Sequence, residues 1–386
     1  MSPSTVCMQH ITSRIEKKTG SHVCYSSGGG DSLWRMSSGG AMDRVRSLDG
    51  TARDEQTTEA GGPVPATVAW HTEVTGEQVH RPDPRDAFPV AWRRLDDSHF
   101  QIRARWPRRH RFFTEVAGRF QDPLLIPETL RQGSMLLAHA AFAVPVEDRF
   151  VMQRVRYSAS PARMLLDDSA EDVVADITCG DVRRRGRRLA GMRCAMVLRR
   201  KGRVLATADG RLDCVSDRAY RRLRGERLSL TGRPVPLLPG LPPQAVGRKD
   251  AAAVVLAPSP RPGAWQLRVN TAHPTLFRRP DDHVPGFVLL EAARQAATAF
   301  SLFPGLMVAT DMDMVFSRYA ELDSPCWIEA DALTEGDPDP STVRVRGLQD
   351  DAEVFRCTVT VAASESAVPP LDPCGSRSGP GAERRP

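Results

Sequence analysis

A chain of 386 residues, 41% hydrophobic and 26% charged, has room for two domains and the composition of a folded protein, which excludes wholesale disorder. Its net charge of +6 rests on arginine, because only four of the 53 basic residues are lysine, and that bias by itself names no partner. Apolar runs fall short of the roughly 18 residues a membrane span needs, the eight cysteines form no C-x-x-C pair, and no apolar signal-peptide core opens the chain. These features predict a cytoplasmic protein with reduced thiols, bound to neither membrane nor zinc.

Residues 1–63, with Gly28-Gly29-Gly30 and no apolar periodicity, read as a disordered extension, and 365–386 as a disordered tail. Between them the chain divides into 64–221, a proline-rich linker and entry segment 222–250, and 251–364. Pro234, Pro236, Pro239, Pro242 and Pro243 rule out a helix or central strand in the linker. In the first block Phe100, Ile102, Ala104 and Trp106 alternate as in a half-buried strand. His110 follows, and an apolar helix then carries Glu128, Arg131 and Gln132, with Asp122-Pro123 expected to cap it. Cys194 to Ala208 reads as a hairpin turning at Lys201-Gly202.

The second block repeats this order. Trp265, Leu267 and Val269 alternate, His273 follows, and a helix opened by Pro285-Gly286 carries Glu291, Arg294 and Gln295. Thr342 to Val361 reads as a hairpin turning at Asp350-Asp351. Histidine precedes glutamate by eighteen residues in both blocks, and the agreement of several offsets indicates an internal duplication. The second helix is apolar around nearly its whole circumference and belongs in a core, wrapped by a sheet.

Glu and Arg three apart share one face of a helix. On a buried helix such a pair is either a self-satisfied ion pair or part of a catalytic constellation, and its recurrence favours the second. His110 and His273 fall in the loop before each helix, and His283 stands directly before the second. Asp281-Asp282-His283 offers metal-ligand types, but no H-E-x-x-H or Cys/His cluster supports a metal site. Arginine runs at 105–111, 183–188 and 199–203 read as solvated faces or as a docking patch for an acidic partner. No P-loop, G-x-G-x-x-G, G-x-S-x-G or nucleic-acid-reading motif is present.

A duplicated unit of buried helix and antiparallel sheet, α+β in class, resembles the tandem (double) hotdog fold. At family level the chain resembles the A-factor biosynthesis proteins, the γ-butyrolactone synthases of Streptomyces-type actinomycetes. The resemblance rests on Val79-His80-Arg81, Asp86-Ala87-Phe88-Pro89, Asp122-Pro123-Leu124-Leu125 and Glu128-x-x-Arg131-Gln132. In the second block it rests on His273-Pro274-Thr275-Leu276-Phe277, Asp282-His283-Val284-Pro285-Gly286, Leu289 to Gln295 and Ser324-Pro325-Cys326-Trp327. It covers about Val68 to Ala363 and departs from the family at Gln121, where histidine is usual.

The resemblance implies an acyltransferase that moves a β-ketoacyl group from acyl carrier protein to the hydroxyl of dihydroxyacetone phosphate. That step leads to a γ-butyrolactone signal controlling secondary metabolism. The resemblance implies catalytic roles for Glu128, Arg131, Glu291 and Arg294, and substrate contacts from His110, His273, His283, Gln132 and Gln295. No cofactor is expected, and the chain is read as a pseudo-dimer, acting as a monomer or weak homodimer. A thioester is already activated, so no covalent nucleophile is needed. Burial is expected to raise each glutamate's pKa toward that of a general base. Each arginine either pairs with substrate phosphate or holds its glutamate. The competing functions are a hotdog dehydratase or thioesterase, and a non-catalytic butyrolactone-responsive regulator.

Overall fold

The computed structural model describes residues 68–166, 172–301, 307–333 and 341–363. The expected N-terminal extension and C-terminal tail lie outside the described residues. In the first half, β1 (Pro89–Arg94) and β2 (His99–Ala104) precede helix α1 (Leu125–Ala140). Then come β3 (Arg149–Ala159), β4 (Val173–Arg185), β5 (Arg188–Arg200), β6 (Arg203–Val215) and the short helix α2 (Asp217–Arg224). The second half holds β7 (Leu256–Ala257), β8 (Ala264–Leu267), β9 (His283–Val284), helix α3 (Gly286–Phe300) and β10 (Met307–Phe316). It closes with β11 (Ala320–Glu321), β12 (Trp327–Ala332), β13 (Thr342–Gln349) and β14 (Ala352–Ala363).

Twelve strands form one sheet in the order β1-β2-β4-β5-β6-β3-β10-β14-β13-β12-β8-β7. Read outward from the centre, the two halves mirror each other, with β3 and β10 as the central antiparallel pair. Arg154 and Asp313, on those two strands, pair across the junction at 2.5 Å. The duplication legible in the sequence is therefore a pseudo-twofold built on one continuous sheet.

Each helix lies on its own half of the sheet: α1 packs on β1, β3, β5 and β6, and α3 on β12, β13 and β14. Glycine at position 133 allows the close approach of α1, since a Cβ there would lie 3.0 Å from the tips of Ile102 and Ile177. Phe287 to Thr298 are all buried, as an all-round apolar helix requires. Phe100, Ile102 and Ala104 point inward from β2 as their alternation predicts, while Trp106, also buried, lies beyond the strand's end. The hairpins turn at Lys201-Gly202 and Asp350-Asp351, and both pairs take positive φ, the type I′ signature that fits strand twist.

Two local expectations are corrected. Asp122 does not cap α1: its Oδ1 accepts from Leu124 N in the preceding turn, and the helix begins at Leu125 without a side-chain cap. The strand expected from Trp265 through Val269 ends at Leu267. Arg268 there donates to Leu238 O and Val254 O, and Trp265 is only half-buried.

Candidate active site

Glu128 sits in the first turn of α1, fully buried, with Arg131 and Gln132 on the same face. Its Oε1 accepts from Arg131 Nη2 (2.8 Å) and Gln132 Nε2 (2.6 Å), and its Oε2 from Arg131 Nε (2.8 Å). A further guanidinium, that of Arg81, donates to Oε1 through Nε (2.9 Å) and Nη2 (2.7 Å). Gln132 also joins the helix to the chain entering β1, accepting from Phe88 N and donating to Asp86 O.

The second half builds the same object. Glu291 accepts from Arg294, from Gln295 at 2.5 Å, and from both Nε and Nη2 of Arg248 at 2.6 and 2.7 Å. Gln295 accepts from Val255 N and donates to Ala253 O, so Arg248, Ala253 and Val255 repeat the spacing of Arg81, Asp86 and Phe88. The halves also cross-brace. Arg81 Nη1 donates to Thr275 O (2.7 Å), and Arg248 Nη1 donates to Phe112 O (3.0 Å). Thr275 and Phe112 are themselves equivalents, each the second residue after its block's histidine.

These guanidiniums reverse the expected direction of the glutamate pKa values. Burial alone would raise them, but Arg131 with Arg81, and Arg248 with Arg294, outweigh burial and hold Glu128 and Glu291 down to about 2. Both are carboxylates at neutral pH, with every strong donor in reach already engaged. Of the two alternatives left for the arginines, Arg131 and Arg294 hold their glutamates.

Both loop histidines are anchored in the same way. His110 Nδ1 accepts from Phe112 N and Phe113 N, and His273 Nδ1 from Thr275 N and Leu276 N, so in each ring the proton is assigned to Nε2. His110 Nε2 donates to Asp86 (2.8 Å), whose other oxygen accepts from Arg111 (2.6 Å). The second half has Ala253 where Asp86 stands. Burial, reinforced by Arg111 and Arg248, lowers His273 to about 4. His283 belongs to neither glutamate cluster. It contacts Asp281, Asp282 and the Tyr319 ring, and Asp282 is also bound by Arg224 (2.5 Å) and the Tyr220 hydroxyl (2.6 Å). Asp281, Asp282 and His283 lie close enough to share a cation, but Asp282 is already occupied by these donors.

The two clusters differ in charge and access. Around Glu291, a second carboxylate, Asp122, meets Arg248 at 2.6 Å, so two carboxylates face two guanidiniums. Glu128 is the carboxylate bonded to both guanidiniums, with Asp86 acting on Arg81 only at a distance, and Arg278 and Arg279 add positive charge within electrostatic reach. Arg131 is 11% exposed where Arg294 is 3% exposed, so the first cluster reaches the surface.

Beside that opening His80 holds a left-handed backbone (φ 52°), a strained state that persists where the surroundings fix it. Arg81 N closes the turn onto Gly76 O, and a Cβ at Gly76 would lie 2.4 Å from Arg81 O, so the turn requires glycine. His139 Nδ1 donates to Val144 O (2.7 Å), which leaves its Nε2 to accept from His80 Nε2 at 3.0 Å. His80 Nδ1 then keeps a lone pair with no protein partner among the described residues. Burial, then Arg278 and Arg131, lower His80 to about 2, so it is neutral.

The sequence reading gave no role to Arg81, Arg248, His80, His139 or Arg278, although Val79-His80-Arg81 stands among the segments that carry the resemblance. Arg81 lies 47 residues before Glu128 and Arg248 lies 43 before Glu291. Their matched spacing to the residues that bind Gln132 and Gln295 is the signal that could have found the pair.

The description "A-factor biosynthesis hotdog domain" matches residues 66–216 and 233–366. The chain belongs to this family. It is 46% identical over 287 residues to a 2-oxo-3-(phosphooxy)propyl 3-oxoalkanoate synthase of Streptomyces virginiae, covering 74% of this chain and 96% of that one. A protein of the same name from Streptomyces griseus is 39% identical over 279 residues, covering 72% and 92%. Among solved structures, an acyl-ACP thioesterase from Bacteroides thetaiotaomicron aligns at TM-score 0.41 and 12% identity, covering 69% of this chain and 100% of that one. Membership accounts for the duplicated helix and sheet. Among the described residues no helix is long and apolar enough to cross a membrane.

Proposed function

We propose that this chain transfers a 3-oxoacyl group from the thioester of an acyl carrier protein to a hydroxyl of dihydroxyacetone phosphate, and that transfer takes place at the Glu128 cluster. The product is a 2-oxo-3-(phosphooxy)propyl 3-oxoalkanoate, the compound in the relatives' names. The observation that carries the choice of cluster is the unused Nδ1 of His80 beside the exposed, positively charged side of Glu128.

The chemistry follows from those groups. The acceptor hydroxyl attacks the thioester carbon and His80 Nδ1 takes its proton, a role for a positioned base. Arg131 Nη1, which has only the Met135 thioether as acceptor (3.0 Å), is free to donate to the developing oxyanion. Collapse of the intermediate leaves the new C–O bond, breaks C–S, and sends the proton from His80 to the departing thiolate. The low basicity of His80 comes first from burial and then from Arg278 and Arg131, and the negative charge of the bound acceptor phosphate offsets the arginines' share. Glu128 acts as a fixed anion that holds Arg81 and Arg131 in place, and Gln132 locks it to the chain before β1. The Glu291 cluster, with Arg294, Gln295 and Arg248, repeats the frame as a structural brace between the halves. The acyl carrier protein docks through its acidic surface, and the enzyme acts in the cytoplasm as a monomeric pseudo-dimer or a weak homodimer.

The test is to incubate the protein with a 3-oxoacyl carrier protein and dihydroxyacetone phosphate and to follow products by mass spectrometry. The phosphorylated ester and free carrier thiol are expected. Release of the free 3-oxo acid with the acceptor untouched would place the chain with the thioesterases instead.

A further inference from the structure

Within the reading just given, on which this inference rests, nothing yet identifies what receives the acceptor's phosphate. Arg131 and Arg81, the nearest cations, are both committed to Glu128. Three other arginines, Arg278, Arg279 and Arg149, lie in a chain of electrostatic reach that leads to Arg131. Arg278 and Arg279 follow Thr275, whose carbonyl is bound by Arg81, so the loop carrying them is fixed against the cluster. Neither makes a hydrogen bond or ion pair among the described residues. Arg149, at the start of β3, stacks over the Tyr220 ring at 5.3 Å, and its Nε is buried with no partner.

Guanidiniums gathered with few carboxylates repel one another, and an anion bound among them relieves that repulsion. Asp281 offsets part of the charge at Arg279, but at Arg278 the guanidiniums of Arg131, Arg81 and Arg279 act against the carboxylate of Glu128. The other half provides a contrast. Counting from the anchored histidines, Glu115 occupies the place of Arg278, and it is paired with Lys249. His80, likewise, corresponds to Gly247.

We propose that Arg278, supported by Arg279 and Arg149, is the receptor for the phosphate monoester of the acceptor, and that this receptor exists at only one of the two pseudo-equivalent clusters. A guanidinium presents paired donors to phosphate oxygens, and the dianion relieves the repulsion among the three cations. Arg278 is therefore a specificity-determining residue, and the duplicated frame has one anion-accepting site.

The phosphodiester of a carrier's pantetheine arm has related chemistry, and the experiment separates the two sources by using a phosphate-free thioester as donor. With that donor, Arg278→Gln is expected to raise KM for dihydroxyacetone phosphate about tenfold or more, the scale of a lost charge-assisted contact. Turnover of unphosphorylated dihydroxyacetone should stay at the wild-type level. Competitive inhibition by inorganic phosphate should weaken in parallel, while Lys249→Ala should leave all of these unchanged. Removing an unpaired cation leaves the fold intact, so the melting temperature of Arg278→Gln should match or exceed wild type. An unchanged KM overturns the proposal, as does a defect seen only with carrier-bound donor. If the wild type makes no ester at all, the acyltransfer reading fails instead. Calorimetry with glycerol 3-phosphate then decides the receptor: binding lost in Arg278→Gln supports it, and equal binding overturns it.

Discussion

Arg248, from the segment leading into the second half, meets Asp122, from the turn before α1 in the first half, at 2.6 Å, with both side chains buried. The same guanidinium holds Glu291 through two donors, so one residue ties both halves to the second glutamate. Replacing it strands two carboxylates in a low-dielectric interior. Arg248→Met is expected to cost about 3–5 kcal/mol, the range for breaking a buried pair from one side. Chemical denaturation checks this, and a loss under about 1 kcal/mol would contradict the brace.

The glutamates should separate in behaviour although their contacts look alike. Glu128→Gln frees Arg81 and Arg131 beside the reacting groups and is expected to lower turnover by about 10²-fold. Glu291→Gln is expected to lower the melting temperature while leaving the rate per folded molecule near wild type. Melting curves and product formation measured on the same preparations distinguish the two.

The helix residues Glu128, Arg131, Gln132, Glu291, Arg294 and Gln295 were legible because helical spacing places them on one face and the duplication repeats them. The tandem sheet was legible from alternation at Phe100 to Ala104 and from two hairpin turns. The direction of the glutamate pKa values was not, because it depends on Arg81 and Arg248, distant in sequence and hidden among 49 arginines. Asp122 looked like a helix cap because an Asp-Pro pair before a helix ordinarily is one. Its role as a counter-ion depends on a residue from the other half.

Acid should destabilise the protein in two stages. His80 and His273 have folded pKa values held below the ordinary 6.5, to about 2 and about 4, mainly by burial. Their neutral forms therefore contribute stability that is complete above pH 6.5 and falls as pH drops below it. Glu128 and Glu291, held near 2 against an ordinary 4.5, add a second loss as pH falls below 4.5. The melting temperature is expected to be level near pH 7–8, to decline from about pH 6.5, and to decline more steeply below about 4.5. A His273→Phe variant should flatten the first stage.

The exposed tip between β4 and β5 carries Arg184 and Arg187, and Arg184 lies over the Phe142 ring just beyond the end of α1. This places a basic surface beside the end of the helix that bears His139. Reversing both charges to glutamate is expected to weaken turnover of a carrier-bound donor about tenfold or more and to reduce its salt dependence. A free thioester donor should react normally, and equal damage with both donors would rule out docking there.

The measurement that bears most directly on the choice of the Glu128 cluster is single-turnover ester formation, followed by mass spectrometry, on His80→Ala and Glu291→Gln at matched folded fractions. The expected result is a fall of about 10²-fold or more for His80→Ala, the usual scale for a positioned base, with Glu291→Gln near the wild-type rate. A His80→Ala protein at full rate beside a disabled Glu291→Gln would contradict it and move the chemistry to the other half.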